Sequence, residues 1–151
     1  MFDFDIKASE LATTMKGAYT RYADDMVFST NNADARSEWL SGVADLLIEL
    51  SDGELKINDK KTTLGSRAAR RSVTGIIITP DGQISIGRER KRIIRCMIHK
   101  AAISNIEQDQ VERLRGLLAF ASDIEPQFLE RMITRYGDIV LSIRRGKYLA
   151  A

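Results

Sequence analysis

The first thirty residues change in pattern: apolar residues at helical spacing come first, and two short runs of strand-forming residues follow. Residues 18–22 and 26–30 are rich in Tyr, Thr, Val and Phe, which predicts two strands. Three residues separate these strands, so we expect a tight hairpin with Asp24 and Asp25 at or beside its tip. Before them, apolar residues at helical spacing predict an amphipathic helix that ends near Gly17: Phe4, Ala8, Leu11, Ala12 and Met15.

A second helix is predicted after the hairpin. Asp34 stands at its expected N-cap, and Gly53 lies just past its expected end. A short strand is then predicted at residues 55–57. The apolar face of the helix comprises Trp39, Leu40, Val43, Ala44, Leu47 and Ile48.

The remaining pattern changes from strands to helices near residue 87. Residues 73–79 and 83–86 flank Pro80-Asp81-Gly82, and this turn chemistry predicts a second hairpin. Together the elements predict a mixed α/β half up to about residue 87, followed by an all-helical half. Three helices are expected in the second half, near 88–104, 107–122 and 126–145.

The composition is that of a folded chain without a membrane segment. Of the 151 residues, 44% are hydrophobic and two are proline, so the chain can bury a core as one domain or two small lobes. No run of 18 apolar residues occurs and the N-terminus is acidic, so we expect a cytoplasmic protein that does not contact membranes. Because there is one cysteine, Cys96, and one histidine, His99, any metal should be held by oxygen ligands.

The net charge of +2 hides an uneven distribution of charge along the chain. Residues 1–59 contain 5 Lys/Arg and 12 Asp/Glu, whereas residues 60–100 contain 11 and 2. An acidic region beside a basic one is expected where phosphates meet cations held by carboxylates. Mutual neutralisation across an internal interface is the alternative interpretation.

The helix predicted near residue 88 concentrates this positive charge on one side. Its opposite side carries Ile94, Met97, Ile98 and Ala101, so one face can pack while the other binds phosphates. A solvated basic face is the alternative interpretation. The basic stripe, at offsets of 0, 3, 4, 7 and 11, consists of Arg88, Lys91, Arg92, Arg95 and His99.

The adjacent carboxylates of Asp24 and Asp25 have two interpretations. They repel each other, and a bound cation would relieve this repulsion. A hairpin tip can hold such oxygens where Mg²⁺ binds together with water and substrate phosphates. Two ions about 4 Å apart stabilise both oxygens of an in-line phosphoryl displacement, a mechanism that usually needs a further carboxylate. Alternatively, Asp is common in tight turns for ordinary backbone reasons.

Four segments in order resemble bacterial retron-type reverse transcriptases. The stretch YTRYADD at residues 19–25 is similar to the catalytic hairpin of that family. Residues 57–62, INDKKT, resemble its INxxKT segment, and residues 73–76, VTGI, resemble the start of its primer grip. The basic run at 87–95 stands where the thumb begins, and residues 116–137 resemble the later thumb helices more loosely. The resemblance covers nearly the whole chain.

The resemblance implies an α+β fold with a palm portion followed by a thumb. Residues 1–87 would form an antiparallel palm-like sheet with the catalytic hairpin and packed helices, and residues 88–151 an all-helical thumb. Asp24 and Asp25 match the aspartates that bind the two catalytic Mg²⁺ ions. The positions implied to lie near the primer end and the nucleotide are Tyr22, Lys61 and Gly75. Those implied to contact the nucleic-acid backbone are Arg88, Lys91, Arg92 and Arg95.

The family also implies partners and an incomplete active site. The partners would be a structured RNA template, nascent DNA and dNTPs, and retron systems commonly serve in defence against phage. The family's third catalytic aspartate and its fingers have no counterpart here. Asp3 and Asp5 lie on the first predicted helix, and Asp5 stands where the family has a structural aspartate. We therefore expect a C-terminal fragment, a split-gene product or a truncated relative.

Two other functions are compatible with the sequence. The chain could be a nucleic-acid-binding module in which the aspartate pair performs no chemistry. It could also be a phosphoacceptor receiver domain, which likewise uses an acidic pair and a lysine. A receiver domain requires a helix soon after the acidic pair and parallel βα units throughout, whereas MVFST at residues 26–30 continues as a strand.

Overall fold

The structure, a computed structural model, describes residues 1–66, 69 and 71–148. Those residues are mixed α and β, with antiparallel pairing in both small sheets, in agreement with an α+β fold. None of the helices in the described part is long and apolar enough to cross a membrane. The elements are α1 (Phe2–Thr14), β1 (Gly17–Tyr22), β2 (Asp25–Thr30), α2 (Ala35–Leu50), β3 (Arg71–Val73), β4 (Ile76–Ile78), β5 (Ile84–Ser85), α3 (Arg88–Ile103), α4 (Gln108–Ile124), α5 (Pro126–Tyr136) and α6 (Asp138–Arg144).

The chain divides into two compact units, Met1–Ser66 and Arg67–Ala151. The family-based division into a palm portion at 1–87 and a thumb at 88–151 remains a prediction. Residues 67, 68 and 70 of the predicted palm portion and residues 149–151 of the predicted thumb lie outside the described ranges.

The first unit is organised around the indole of Trp39. Its ring stacks on Phe28, with centroids 4.6 Å apart and planes 7° apart, and lies 5.6 Å from the Tyr19 ring. Its Nε1 donates a hydrogen bond of 3.3 Å to the Ala8 carbonyl, which joins α2 to α1. The two helices therefore bury most of their predicted apolar faces in this core, but Ile48, which was predicted on the apolar face of α2, is 46% exposed near the end of the helix. The buried residues are Phe4, Ala8, Ala12, Trp39, Val43 and Leu47.

The ends of α2 differ in part from the predicted ones. Asp34 occupies the N-cap position, but its side chain makes no capping hydrogen bond. At the other end Gly53 has φ +80°, and its N–H donates to the Ile48 carbonyl at 2.9 Å, as predicted for a glycine that ends a helix. The strand predicted at residues 55–57 was wrong, because this segment is irregular and has no partner strand among the described residues.

In the second unit, the strand predicted at residues 73–79 is divided by a turn. Thr74 and Gly75 have φ values of +47° and +82°, and β3 and β4 pair on either side of them. Two positive φ values in a two-residue loop are the pattern of a type I′ hairpin turn. The hairpin predicted around residues 80–82 is confirmed, since β4 also pairs with β5.

The helices of the second unit enclose a separate core. The apolar face predicted for α3 is confirmed, because Ile94 and Ile98 are fully buried. The single helix predicted at residues 126–145 is instead two helices, because Gly137 adopts φ +56° and interrupts the helical backbone between α5 and α6. Other core residues are Ile86, Ala101, Ile106, Val111, Leu114, Leu118, Ala121, Phe128, Leu129, Met132, Val140 and Ile143.

Candidate active site and nucleic-acid interface

The aspartate pair lies at the tip of the β1–β2 hairpin, as the sequence predicts. Tyr22 pairs with Asp25, which leaves Ala23 and Asp24 as a two-residue loop. Both aspartates are exposed, and Tyr22 is 74% exposed. Their side chains are therefore accessible to a ligand, while the paired strands and the Trp39 core fix the backbone that carries them.

An ionic cluster lies on the half-buried face of β1, the face that packs against α1. Tyr22 lies on the other, exposed face of this strand. Arg21 donates from Nε and Nη2 to the Asp5 carboxylate, at 2.7 and 2.6 Å, and the Tyr19 hydroxyl donates to Asp5 Oδ1 at 2.9 Å. The hydrogen bond from Arg21 lowers the pKa of Asp5 to about 2, against a smaller opposing effect of burial. Burial and then the Asp5 carboxylate raise the pKa of Tyr19 to about 12. Asp5 is thus an ionised anchor between α1 and β1.

Arg21 also contacts the loop that carries Asp24. Its Nη1 donates to the Ala23 carbonyl at 2.6 Å. Arg21 is not among the site residues predicted from the sequence, although a signal was present. Strand alternation puts Arg21 on the same face as Tyr19, and an arginine on a packed face needs an anion.

Lys61 lies in a tight turn of the INDKKT segment. The N–H groups of Lys61 and Thr62 both donate to the Asn58 carbonyl at 3.0 Å, and the Thr62 hydroxyl donates to the same oxygen at 3.0 Å. Ile57 packs against the core of the first unit. The segment therefore anchors its apolar end and leaves the Lys61 side chain exposed.

The carboxylates available for a metal ion form a partial ligand set. The described residues contain no group of three or more His, Cys, Asp or Glu side chains that could hold a metal. Mg²⁺ is commonly held by one or two carboxylates, with waters and substrate phosphates completing its octahedron. Asp24 and Asp25 fit that requirement, whereas Asp5 is already occupied by Arg21 and Tyr19.

Gly75, the position implied to lie near the primer, is held by α3. Arg90 Nη1 donates to the Gly75 carbonyl, and the Arg90 guanidinium lies over the Phe120 ring, 5.2 Å from its centroid. A Cβ atom at Gly75 would lie 3.1 Å from Arg90 Nη2. Both the φ of +82° and this close approach favour glycine here.

The side chains of the basic stripe on α3 are of two kinds: most are exposed, and one, Lys91, is held in a mostly buried ion pair. Arg88, Arg92 and Arg95 are exposed, as is His99. Arg92 pairs with Glu89 at 2.7 Å, but both side chains are mostly exposed, so this ion pair is weak. Arg95 lies over the Phe128 ring with its guanidinium 5.4 Å from the centroid.

Lys91 is the engaged member of the stripe. Its ammonium lies 2.6 Å from Glu125 Oε1, and only 20% of the Lys91 side chain is exposed. Glu125 Oε2 accepts hydrogen bonds from the Ser85 hydroxyl at 2.8 Å and the Ile86 N–H at 3.3 Å. Glu125 was not among the predicted site residues, because the sequence pattern placed it only in the break between the helices expected near 107–122 and 126–145.

The predicted site residues are thus distributed over both units. Tyr22, Asp24, Asp25 and Lys61 belong to the first unit, and Gly75 and the basic stripe belong to the second. The receiver-domain interpretation was wrong, because the acidic pair lies in an antiparallel hairpin rather than at the end of a strand that leads into a helix.

Known proteins similar to this chain carry consistent names, although no family model matches it. It is 38% identical over 138 residues to the retron Ec83 reverse transcriptase of Escherichia coli, a match that covers 91% of the chain and 44% of that protein. The retron Ec86 reverse transcriptase of the same organism is 32% identical over 77% of the chain and 34% of its own length. The retron Mx65 reverse transcriptase of Myxococcus xanthus is 31% identical over 87% of the chain and 30% of its own length.

These matches include most of the chain, which itself spans less than half the length of each of the three relatives. Over the part that it spans, the chain belongs to the family of retron reverse transcriptases.

Proposed function

We propose that this chain forms part of an RNA-directed DNA polymerase of the retron type. The observation that carries the proposal is the exposed Asp24–Asp25 pair at the tip of an anchored hairpin, in a chain whose relatives are named reverse transcriptases. The reaction would be nucleotidyl transfer from a dNTP to a primer end, directed by a structured RNA template.

In this proposal Asp24 and Asp25 would hold Mg²⁺, which supplies charge stabilisation for the attacking and leaving oxygens. The hairpin keeps both carboxylates at the surface of the first unit. Tyr22, exposed on the neighbouring strand, would contact the primer end or the incoming nucleotide. The exposed ammonium of Lys61 would bind the triphosphate and assist departure of pyrophosphate.

The second unit would hold the nucleic acid. Arg88, Arg92 and Arg95 present exposed guanidinium groups on one helix, which suits contact with backbone phosphates. Lys91 would add little to the attraction, because Glu125 already neutralises its charge. The Thr74–Gly75 turn, fixed by Arg90, would support the primer strand.

Catalysis would require polymerase segments beyond the 151 residues described by this sequence. The chain spans 44% of the retron Ec83 enzyme, and two carboxylates are fewer than the two-ion mechanism usually needs. We propose that the remaining segments supply the third carboxylate and the fingers. A role in phage defence would then belong to the complete retron system.

Primer extension by a reconstituted enzyme tests this function. The chain would be combined with a polypeptide carrying the part of the retron Ec83 reverse transcriptase that it does not match, together with an RNA template, a primer, dNTPs and Mg²⁺. We expect extension that is lost in Asp24→Asn and Asp25→Asn but kept in Asp3→Asn, an exposed control on α1. Extension that survives Asp24→Asn would refute the proposed mechanism.

Nucleic-acid binding without chemistry is the second candidate function. It is favoured by the exposed arginines of α3 and by the partial ligand set of the described residues. This alternative predicts salt-dependent binding of an RNA–DNA duplex, with no extension in the reconstituted mixture. Mg²⁺-dependent extension that requires Asp24 would exclude it.

A further inference from the structure

Arg21 joins the first helix to the loop of the acidic hairpin. Three nitrogens of its guanidinium are used: Nε and Nη2 donate to the carboxylate of Asp5, and Nη1 donates to the carbonyl of Ala23. Asp5 is held in turn by the Tyr19 hydroxyl. Because the guanidinium is planar and rigid, fixing one edge on Asp5 also fixes the direction in which Nη1 points.

The carbonyl that Arg21 holds belongs to the peptide unit that leads into Asp24. A peptide unit is planar, so the position of the Ala23 oxygen determines the orientation of the Asp24 N–H and the start of its backbone. Ala23 has φ +53°, a conformation that residues with a side chain rarely adopt. Such a conformation persists only where surrounding contacts determine it. The pairing of Tyr22 with Asp25 closes the loop, and the bond from Arg21 is the described side-chain contact that holds the Ala23 carbonyl within it.

The geometry points to Arg21 as a positioning residue for the Asp24–Asp25 pair. Asp5 orients the guanidinium, and the guanidinium fixes the Ala23–Asp24 peptide and with it the two carboxylates. The effect on the loop follows from these contacts alone, whereas the effect on metal binding rests on the proposed function. Groups that orient metal ligands without touching the metal typically change metal affinity 10–100-fold when removed.

Backbone NMR of the full 151-residue chain tests the effect on the loop. We expect Arg21→Ala to shift the amide resonances of Ala23, Asp24 and Asp25, while resonances of α2 and of the second unit stay in place. Arg21→Lys should not restore them, because an ammonium cannot bind the Asp5 carboxylate through two parallel bonds and also reach the Ala23 carbonyl in the same fork. Unchanged loop resonances in Arg21→Ala, or full restoration by lysine, would overturn the inference.

Two further variants separate this effect from a general loss of structure. Glu49→Gln removes the Lys7–Glu49 ion pair of 3.3 Å, which joins α1 to α2 rather than to the loop of the β1–β2 hairpin. This variant should leave the loop resonances unchanged. If Arg21→Ala does not fold, Asp5→Asn retains the arginine and weakens its anchor. It should shift the same three resonances by a smaller amount, and a lack of any shift would contradict the inference.

Paramagnetic broadening by Mn²⁺, used as the metal probe, tests the consequence for binding. Mn²⁺ should broaden Asp24 and Asp25 in the unaltered chain, and Arg21→Ala should require about tenfold more Mn²⁺ for the same effect. Equal broadening in both chains would overturn the positioning role. If Mn²⁺ leaves both aspartates unbroadened even in the unaltered chain, while the loop depends on Arg21, the proposed metal-binding function fails and the link between Arg21 and the loop stands.

Discussion

The carboxylate of Glu125 lies 2.6 Å from the ammonium of Lys91 and accepts the Ser85 hydroxyl on its other oxygen. One acidic side chain at the junction of α4 and α5 therefore holds both α3 and the end of β5. Both members of the ion pair are largely buried, with 16% and 20% of their side chains exposed. This arrangement makes Glu125 a structural residue and removes Lys91 from the set of free cations on α3.

Glu125→Gln should destabilise the second unit. The amide keeps the size of the side chain but leaves the Lys91 charge without a partner, which should cost about 2 kcal/mol at neutral pH. Chemical denaturation at pH 7 would measure the loss. The matched control is Glu89→Gln, because Glu89 also pairs with a cation of α3 but is mostly exposed, and it should change stability by less than about 0.5 kcal/mol.

The same pair should make stability depend on pH in the acidic range. Burial alone would raise the pKa of Glu125, but the bonds from Lys91, Ser85 and the Ile86 N–H lower it below its usual value overall. A carboxylate with a lowered folded-state pKa contributes stability above its unfolded pKa, about 4.3, and loses it as pH falls through the folded value. The stability difference between the unaltered chain and Glu125→Gln should therefore shrink below about pH 4. A difference that is constant down to pH 2 would contradict this explanation.

Arg92 and Lys91 should differ in their contribution to nucleic-acid binding. Arg92→Ala should weaken binding of an RNA–DNA duplex regardless of its sequence and reduce the salt dependence by about one phosphate contact. Lys91→Ala should leave the salt slope nearly unchanged, because its charge is already neutralised, but should lower stability through loss of the Glu125 pair. Binding titrations at several salt concentrations, with folding verified for each variant, would separate the two. Equal slopes for Arg92→Ala and the unaltered chain would contradict phosphate contact by this face.

Local pattern predicted the hairpin and the apolar helix faces because those features depend on neighbouring residues. The hairpin of β1 and β2 follows from strand propensity on both sides of a short polar loop, and Ile94 and Ile98 are buried as their spacing predicts. The break at Gly137 and the turn at Thr74–Gly75 were missed, although glycine was visible at both places. An apolar run on either side of each glycine favoured a continuous element, and only the positive φ values reveal the turns.

The side chains that support the candidate site were harder to predict. The Asp5–Arg21 and Lys91–Glu125 pairs join residues 16 and 34 positions apart in the sequence, where no local period relates them. Charge alone does not identify a partner, because most charged side chains are exposed and weakly paired. Strand alternation could have marked Arg21 as inward-facing, but the choice of Asp5 as its partner depends on the packing of α1 against β1.

Trp39→Ala should destabilise the first unit and loosen its hairpin. Trp39 is 5% exposed, its ring stacks on Phe28 and its Nε1 donates to the Ala8 carbonyl, so its removal leaves a cavity and deletes one hydrogen bond between α2 and α1. A loss of about 3–5 kcal/mol is expected. In Trp39→Ala, the backbone amides of β1 and β2 should exchange their hydrogens faster. The control is Ile48→Ala, at a position on the same helix that is 46% exposed, and it should change neither stability nor exchange in the hairpin by much. Equal protection of the hairpin in both variants would contradict a central role for the indole.

Gly75→Ala and Gly116→Ala should change stability in opposite directions. Gly75 has φ +82° and its added Cβ would lie 3.1 Å from the Arg90 guanidinium, so alanine there should cost about 1–2 kcal/mol. Gly116 lies inside α4 with no atom near its added Cβ, so alanine there should stabilise by about 0.5–1 kcal/mol, because glycine loses more backbone entropy in a helix. Thermal unfolding of the two variants provides the comparison. Because both add the same methyl group, stabilisation by Gly75→Ala would show that neither the backbone conformation nor the Arg90 contact constrains this turn.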